Sequence, residues 1–295
     1  MAVACLLGSI AASLSLSGAR WTVPQGLPRV PRSPRACGSA LMPWNDINKA
    51  LDELPCFVVV ANGCAVPSDS GRTELHVDMG TALKQLESAR AQSPESDFQL
   101  QPVGLGFALT SSGGGPPPSE GASADGAASL LVPSAHDVQR ARALPGSEEV
   151  DWDAGAVPLF GCFELQQLEQ ASGKLVRPLF LAHADAAAAL DAAEEQARRA
   201  PSSDGAAAPQ LRMRATSLQL MTQRMAGGDT ADPRAFRFVA PSSAVRFCAS
   251  LQSEASTDGA LPELSDADAR RALTMIYDDK RRARPARDAG LFPDF

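Results

Sequence analysis

The sequence predicts an α/β fold, of the α+β type, in which two tandem pseudo-symmetric repeats share a central sheet with flanking helices. Two apolar runs, around Pro55 and Pro158, start alike with an apolar residue, Pro, an apolar residue and Phe. Two segments with helical spacing are each followed by a proline, Pro94 and Pro201. Hydrophobic residues make up 44% of the 295 residues, which suffices for a sizeable core. The order β-β-α-β-α-β-α is predicted twice.

The first two strands of each repeat are short apolar runs. Residues 54–60 and 157–163 form the first strand of each repeat, with proline near the start, where its missing N–H is tolerated. Residues 75–77 and 178–181 form the second strand. Because these runs are apolar on consecutive positions, we expect strands that are buried on both faces.

The remaining strands and the helices follow in matching order. The other predicted strands are residues 98–105, 130–134, 211–218 and 236–242. Apolar residues at helical spacing predict helices over residues 80–92, 134–143, 185–199, 217–226 and 242–251, and the strand over 98–105 is predicted to run into a short helical turn. Ser134 and Ser242 stand at helix starts and are predicted to be N-caps.

Composition divides the chain into a leader, a globular domain and a tail. The globular domain is predicted over residues 50–251, with repeat one at 50–145 and repeat two at 155–251. Residues 111–129 are rich in Gly, Pro and Ser and are expected to form a flexible insertion in repeat one. Residues 252–295 are expected to be a linker and a helix over 266–284. The basic cluster at the C-terminal end of that helix would interact favourably with the helix dipole. Alternatively, it would allow peripheral contact with an anionic membrane.

Residues 1–45 have the composition of a targeting leader. No Asp or Glu occurs before Asp46, whereas four arginines do. Residues 2–19 are apolar with small residues at the end, and residues 20–44 are basic and rich in proline. A signal-like part followed by a transit-like part is what import into a plastid with extra membranes requires. The alternative is a single transit peptide for a chloroplast or a mitochondrion.

Several function classes are not expected from this sequence. Aromatic residues are only 5% and the formal net charge is −7, which argues against a nucleic-acid surface. No internal apolar run is long enough to span a membrane. The sequence contains neither a P-loop nor a nucleophile elbow, and Gly104-Leu105-Gly106 is interpreted as a turn. His76 and Asp78 supply two metal ligands without a third. We therefore predict no catalytic residues, no metal and no cofactor, and do not expect an enzyme.

The cysteines carry no recognisable motif. None of the six forms a Cys-x-x-Cys pair, so neither a zinc ribbon nor a thioredoxin-type site is indicated. Cys56, Cys162 and Cys248 lie in apolar runs, where a free cysteine acts as a small hydrophobe. Cys64 follows the turn Asn62-Gly63, which would bring it near Cys56 across a hairpin and allow a disulfide.

Four motifs together resemble a known family. They are Val-Arg-Pro-Leu-Phe-Leu at 176–181, Ala-Ala-Leu at 188–190, Ser-Leu at 217–218 and Phe-Arg-Phe-Val-Ala-Pro at 236–241. In this order, and with the internal repeat, they resemble the family of the twenty-two-kilodalton subunit of the translocon at the inner envelope of chloroplasts, which has cyanobacterial periplasmic members. The resemblance covers about residues 50–251. The insertion, the Ala-rich second helix and the C-terminal extension depart from the family pattern.

The resemblance implies a soluble component of plastid protein import in the envelope intermembrane space. Such a protein would bind unfolded precursor proteins in a chaperone-like way through apolar grooves, beside other translocon subunits. The apolar residues proposed to bind clients are Phe57, Val59, Leu159, Phe163, Leu179, Leu181, Phe236 and Phe238. Each of them would serve equally well in an ordinary core. The alternatives are a small-ligand-binding protein or enzyme on the same duplicated scaffold, and a structural subunit without a groove.

Overall fold

A computed structural model of the chain describes residues 21–22, 41–68, 70–115, 129–168, 173–199, 211–230 and 232–254. The predicted helix over residues 266–284 and most of the predicted insertion lie outside the described residues.

The first half contains five strands and four helices after a short N-terminal strand. That short strand is β1 (Trp21–Thr22). The elements of the first half are α1 (Trp44–Asp52), β2 (Pro55–Ala61), β3 (Cys64–Ala65), β4 (Thr73–His76), α2 (Met79–Gln92), β5 (Phe98–Gly104), α3 (Leu105–Ser111), β6 (Ser129–Val132) and α4 (Ala135–Arg142). Short 3-10 turns at Ser147–Glu149 and Trp152–Ala154 lead into the second half.

The second half contains five strands and three helices. They are β7 (Pro158–Gly161), β8 (Gln166–Leu168), β9 (Leu175–Phe180), α5 (His183–Arg199), β10 (Arg214–Ser217), α6 (Leu218–Gly227), β11 (Phe236–Val239) and α7 (Ser242–Glu254). Apart from helix α1 and the additional strands β3 and β8, the elements of both halves follow the predicted order, and the predicted α/β class is confirmed.

The strands form two sheets. In the first, β2 pairs antiparallel with β5 on one side and with β3 and β4 on the other, and β6 runs parallel to β4. In the second, β7 pairs antiparallel with β10 and β9, β11 runs parallel to β9, and β8 lies between β9 and β1. The prediction of one sheet shared by both repeats is wrong for the described strands. No described strand of one half pairs with a strand of the other, so the halves meet chiefly through side chains.

The two sheets have the same pairing scheme. The order β5-β2-β4-β6 in the first corresponds to β10-β7-β9-β11 in the second, with the same parallel and antiparallel neighbours. This agreement is compatible with two repeats, and the duplication itself stays an interpretation.

One hydrophobic core runs through both halves. It extends from Met42 to Ala249 and includes side chains of both sheets. At the contact between the halves, the Phe57 ring of β2 meets the Phe247 ring of α7 edge to face, with centroids 5.5 Å apart. The backbone N–H of Met42 also donates to the carbonyl oxygen of Met225, at 3.2 Å. The halves are therefore held together by a common apolar interior.

The folded part begins before residue 50, where the sequence placed the start of the globular domain. Met42 is buried although it falls in the predicted leader. Helix α1 follows at once, and its Ile47 and Leu51, one helical turn apart, are fully buried. Burial of these side chains explains why the segment is ordered as a helix.

Side-chain caps fix several helix starts. The Asp78 carboxylate accepts from the backbone N–H of Thr81 at 2.8 Å, and the Ser134 and Ser217 hydroxyls accept from N–H groups three residues on. The predicted cap at Ser134 is confirmed. The predicted cap at Ser242 is wrong, because Ser242 is the first residue of α7 and its N–H donates to the Asp185 carboxylate at 2.8 Å.

Candidate functional site

Seven of the eight apolar residues predicted to bind clients lie in the protein interior. Each of them exposes less than a tenth of its surface: Phe57, Val59, Leu159, Leu179, Leu181, Phe236 and Phe238. A groove residue must be open to solvent before its ligand arrives, and these side chains are already covered by neighbouring strands and helices. The structure therefore corrects the prediction for these seven positions, which are core residues.

Phe163 is the exception among the eight. It lies between β7 and β8 and is 52% exposed. The guanidinium of Arg214, on the neighbouring strand β10, lies 5.4 Å from the centre of its ring. A cation over an aromatic face holds the ring in place without covering it completely. Phe163 is thus presented on the surface as a positioned aromatic side chain.

Two further apolar residues are exposed on the strands that follow Phe163. Leu168 of β8 and Leu175 of β9 are directly opposite one another in the antiparallel ladder and are 37% and 49% exposed. Directly opposed residues point to the same face of a sheet, so the two side chains form a pair. We call Phe163, Leu168 and Leu175 the outer apolar residues. Sequence reasoning missed the two leucines. Leu168 stands among polar residues, and Leu175 lies just before the apolar run that was predicted as a strand.

The first half also exposes large apolar side chains, but on separate elements. Leu83 lies on α2, Phe107 on α3 and Leu130 on β6. No strand pairing joins any two of these positions. Isolated exposed hydrophobic residues are ordinary on protein surfaces, whereas a cross-strand pair indicates a binding surface more strongly.

A buried polar network lies beneath α2. His76, at the end of β4, is 1% exposed, and its Nε2 lies 2.5 Å from the Gln85 Oε1 of α2. The Gln85 amide in turn donates to Glu74 Oε2 at 3.2 Å. The other ring nitrogen of His76, Nδ1, is buried without a hydrogen-bond partner. Burial lowers the pKa of His76 from its ordinary value, against the raising effects of Gln85, Glu74 and Asp78. The predicted pair of His76 and Asp78 therefore serves packing and capping.

A second polar cluster joins the two halves at the start of α5. The Asp137 carboxylate of α4 accepts from the backbone N–H of His183 at 3.1 Å. Burial raises the pKa of Asp137, although this bond and the nearby His136 act in the opposite direction. Burial, followed by the positive charge of Arg140, lowers the pKa of His183. The His183 ring packs edge to face on the Phe160 ring, so the side chains of this cluster also take part in packing.

The Gly104-Leu105-Gly106 segment holds a carboxylate of the chain itself. Gly104 ends β5, and Gly106 lies in the first turn of α3. A Cβ atom added at either glycine would come within 2.7 Å of the Asp52 Oδ1 atom of α1. The same Asp52 oxygen accepts from the backbone N–H of Phe107 at 2.8 Å. The glycines thus let α1 approach the start of α3. The motif is a strand-to-helix junction in close contact with α1, and not the turn that was predicted.

The four cysteines of the described residues are free thiols. Cys64 pairs with Ala61 in the β2–β3 ladder, whereas Cys56 lies opposite Val103 at the other end of β2. The disulfide between Cys56 and Cys64 is therefore not formed. Burial raises the pKa of the Cys56 thiol above its ordinary range and that of Cys248 to about 12, so both are inert thiols at neutral pH.

The described residues contain neither a candidate metal site nor a candidate membrane span. They contain no group of three or more His, Cys, Asp or Glu side chains that could hold a metal ion. No helix within the same part of the chain is sufficiently long and apolar to cross a bilayer.

Comparison with known proteins shows which solved structures have a similar architecture. No family model matches the sequence, and no curated protein matches it. Among solved structures, Tic22 from Plasmodium falciparum aligns with a TM-score of 0.53 and 14% identity, over 70% of this chain and 98% of that one. The chain has the Tic22 fold. Anabaena Tic22, described as a protein of protein transport, aligns at 15% identity and a TM-score of 0.48, over 75% of this chain and all of that one.

The Tic22 fold agrees with the family resemblance stated from the sequence. Nearly the whole of the Plasmodium Tic22 chain finds a counterpart here, so the likeness covers an entire domain and not one supersecondary motif. At this identity the likeness concerns the backbone. The chemistry of a binding site depends on the side chains that this chain itself presents.

Proposed function

We propose that this chain is a Tic22-like component of protein transport into a plastid, and that it binds precursor proteins in transit through its outer apolar residues. The observation that carries the proposal is the exposed set of Phe163, Leu168 and Leu175 on a domain with the Tic22 fold. Unfolded precursors expose apolar side chains, and an exposed apolar surface binds them with little sequence preference. No catalytic step is part of this role.

The proposed location is the intermembrane space of the plastid envelope, with other translocon subunits as neighbours. The support is the leader composition together with the Tic22 fold. Two fluorescent fusions, one with residues 1–45 and one with the full chain, test the location in an alga whose plastid compartments can be resolved. Both are expected at the plastid envelope. A mitochondrial, secreted or cytosolic signal would contradict the proposal.

A matched pair of triple variants tests the binding surface. The variant F163S/L168S/L175S removes the outer apolar residues, whereas L83S/F107S/L130S removes the same residue types from the first half. Both sets are exposed, so each variant is expected to keep a thermal midpoint close to that of the wild type.

The readout is suppression of aggregation by the full chain mixed with a chemically unfolded client. We expect the first triple variant to lose most of its suppression and the second to retain it. Equal activity of the two variants would remove the assignment to the outer apolar residues. If the wild-type chain neither suppresses aggregation nor crosslinks to a precursor, the chaperone-like role itself is wrong.

A further inference from the structure

Strand β8 has one neighbour from the globular part and one from the leader. On one side it pairs with β9, through Gln167 opposite Val176 and Leu168 opposite Leu175. On the other side it pairs antiparallel with β1, through Gln167 opposite Trp21 and Gln166 opposite Thr22. Without β1, β8 would be an edge strand of the second sheet, as β10 and β11 are among the described strands. An edge strand presents unpaired N–H and C=O groups to any extended chain.

The sequence around β1 favours an extended segment. Residues 21–23 are Trp-Thr-Val, all good strand formers, and Pro24, which has no N–H to donate to a ladder, follows them. Among the described residues, Trp21 and Thr22 pair with β8. Because β1 belongs to the same chain, its pairing benefits from a high effective concentration at β8.

The additional strand of the first half, β3, is a less suitable site for strand addition. Strand β3 has two residues and pairs with β2. Pro67 follows it and forms an isolated bridge with Thr73. A very short strand followed by proline is a common means of blunting a sheet edge. In the described part of the first half, no leader segment pairs with this hairpin.

We propose that the β8 edge is a strand-addition site for an extended segment of a partner polypeptide, and that the leader segment Trp21–Thr22 occupies this site as a competitor in the full-length chain, from which the leader has not been removed. The inference rests on the proposed function and states how a precursor binds. Main-chain hydrogen bonds to β8 supply affinity that does not depend on the partner's sequence. The exposed pair Leu168 and Leu175 lies in the same hairpin and offers contacts for apolar side chains of the added strand.

The first experiment frees the edge in the full chain. The variant W21P/T22P cannot donate from β1 and leaves β8 uncovered. The control V30P/S33P adds two prolines to the leader outside β1. The probe is a fluorescein-labelled peptide of residues 18–25, and a second probe has N-methyl groups on the amides of Trp21 and Thr22. Because a tethered segment competes at a millimolar effective concentration, the unmodified peptide should bind W21P/T22P about tenfold more tightly than it binds the wild type or the control.

The result that overturns the site is equal affinity of the peptide for all three proteins, or equal affinity of the two peptides for W21P/T22P. N-methylation keeps the side chains and removes the donors, so a binding mode that ignores it is not strand addition. A thermal unfolding curve of W21P/T22P that overlays the wild type confirms that the variant is folded.

The second experiment separates this inference from the proposed function. Reduced, carboxymethylated α-lactalbumin, a permanently unfolded protein, is titrated against the W21P/T22P complex with the peptide. Displacement of the peptide supports the inference. Binding of the unfolded protein without displacement overturns the inference and leaves the proposed function in place. Absence of binding to any form of the chain overturns both.

Discussion

The two halves of the molecule share one pairing scheme but fill it with different chemistry. In the first sheet, His76 stands opposite Phe57 of β2 and beside Val132 of β6. In the second sheet, Phe180 occupies the same place, opposite Phe160 of β7 and beside Val239 of β11. One half therefore buries an imidazole where the other buries a phenyl ring.

The neighbours of this position differ in the same sense. Gln85, nine residues after His76, accepts from the His76 Nε2–H through its Oε1 atom, whereas Ala189, nine residues after Phe180, is a buried small side chain. The same strand pairing thus accommodates either a polar or an apolar side chain, provided that a buried polar side chain has a hydrogen-bond partner. The pairing of the strands therefore determines the architecture, whereas the helix that covers each sheet determines which side chain a core position can accommodate.

The surfaces of the halves differ as well. The first half scatters its exposed apolar side chains over α2, α3, β6 and Leu41 before α1, whereas the second has them on the β7–β8–β9 segment. The second half also accepts the leader strand β1, which the first does not in the described residues. Both observations support the proposal that precursor proteins bind to the second half of the domain.

The largest expected effect separates a core residue from an exposed one. Phe57→Ala should lower the free energy of unfolding by about 3–5 kcal/mol, because it opens a cavity at the contact with Phe247. Phe163→Ala should change it by no more than about 0.5 kcal/mol, since its ring is half exposed. Chemical denaturation of the full chain measures both values. A small effect at Phe57 would mean that it is not a core residue and would restore it as a groove candidate.

The next effect concerns the buried imidazole. His76→Phe places the side chain of the second half in the first and should cost about 1–3 kcal/mol, because the Gln85 amide oxygen loses its partner. The double variant His76→Phe/Gln85→Ala, which imitates the second half more completely, should recover part of that loss. A double-mutant cycle from denaturation midpoints gives the coupling. Strict additivity would show that the two side chains do not interact.

A smaller effect is expected at the two carboxylates that satisfy helix starts. Asp78→Ala removes the cap of α2 in the first half, and Asp185→Ala removes the acceptor for the first N–H of α7 in the second. Each should cost about 1 kcal/mol. Asp78→Asn and Asp185→Asn keep an acceptor and serve as the matched controls. Equal losses in the Ala and Asn variants would assign the effect to charge and not to hydrogen bonding.

The smallest expected effect is a difference in pH dependence between the wild type and His76→Phe. The pKa of folded His76 lies below its ordinary value of 6.5, so on acidification the unfolded chain takes up this proton before the folded chain does. The contribution of His76 to stability is complete above pH 6.5 and falls as the pH drops below it. Denaturation midpoints at pH 7.5 and 5.5 should therefore differ less in His76→Phe than in the wild type. Comparison of the two proteins cancels the contributions of Asp137 and His183, and equal pH dependence would contradict the prediction.

Much of the fold could be predicted from the sequence because local signals mark it. Prolines follow or start several elements, apolar runs indicate buried strands, and the cap at Ser134 has the side chain that a helix start prefers. Helix α1 was missed because its apolar residues Ile47 and Leu51 stand in a polar segment beside the leader. Their burial depends on contacts with residues far along the chain.

Less of the candidate site could be predicted. Apolar residues in runs were taken both as strand formers and as groove residues, and the first interpretation held for seven of the eight. Phe163 alone is exposed among them, since the chain turns out of β7 at that point and Arg214 of β10 lies over its ring. Leu168 and Leu175 become a pair only when β8 and β9 are in register.

The sequence by itself determined the class of fold, the order of its elements and most helix ends, because propensity, periodicity and caps act over a few neighbouring residues. Only the tertiary structure decided that there are two sheets, that His76 and Phe180 occupy equivalent places, and which apolar side chains remain exposed. Strand register and burial depend on contacts between residues distant in the chain, and a one-residue change of register would move every side chain of a strand to the opposite face.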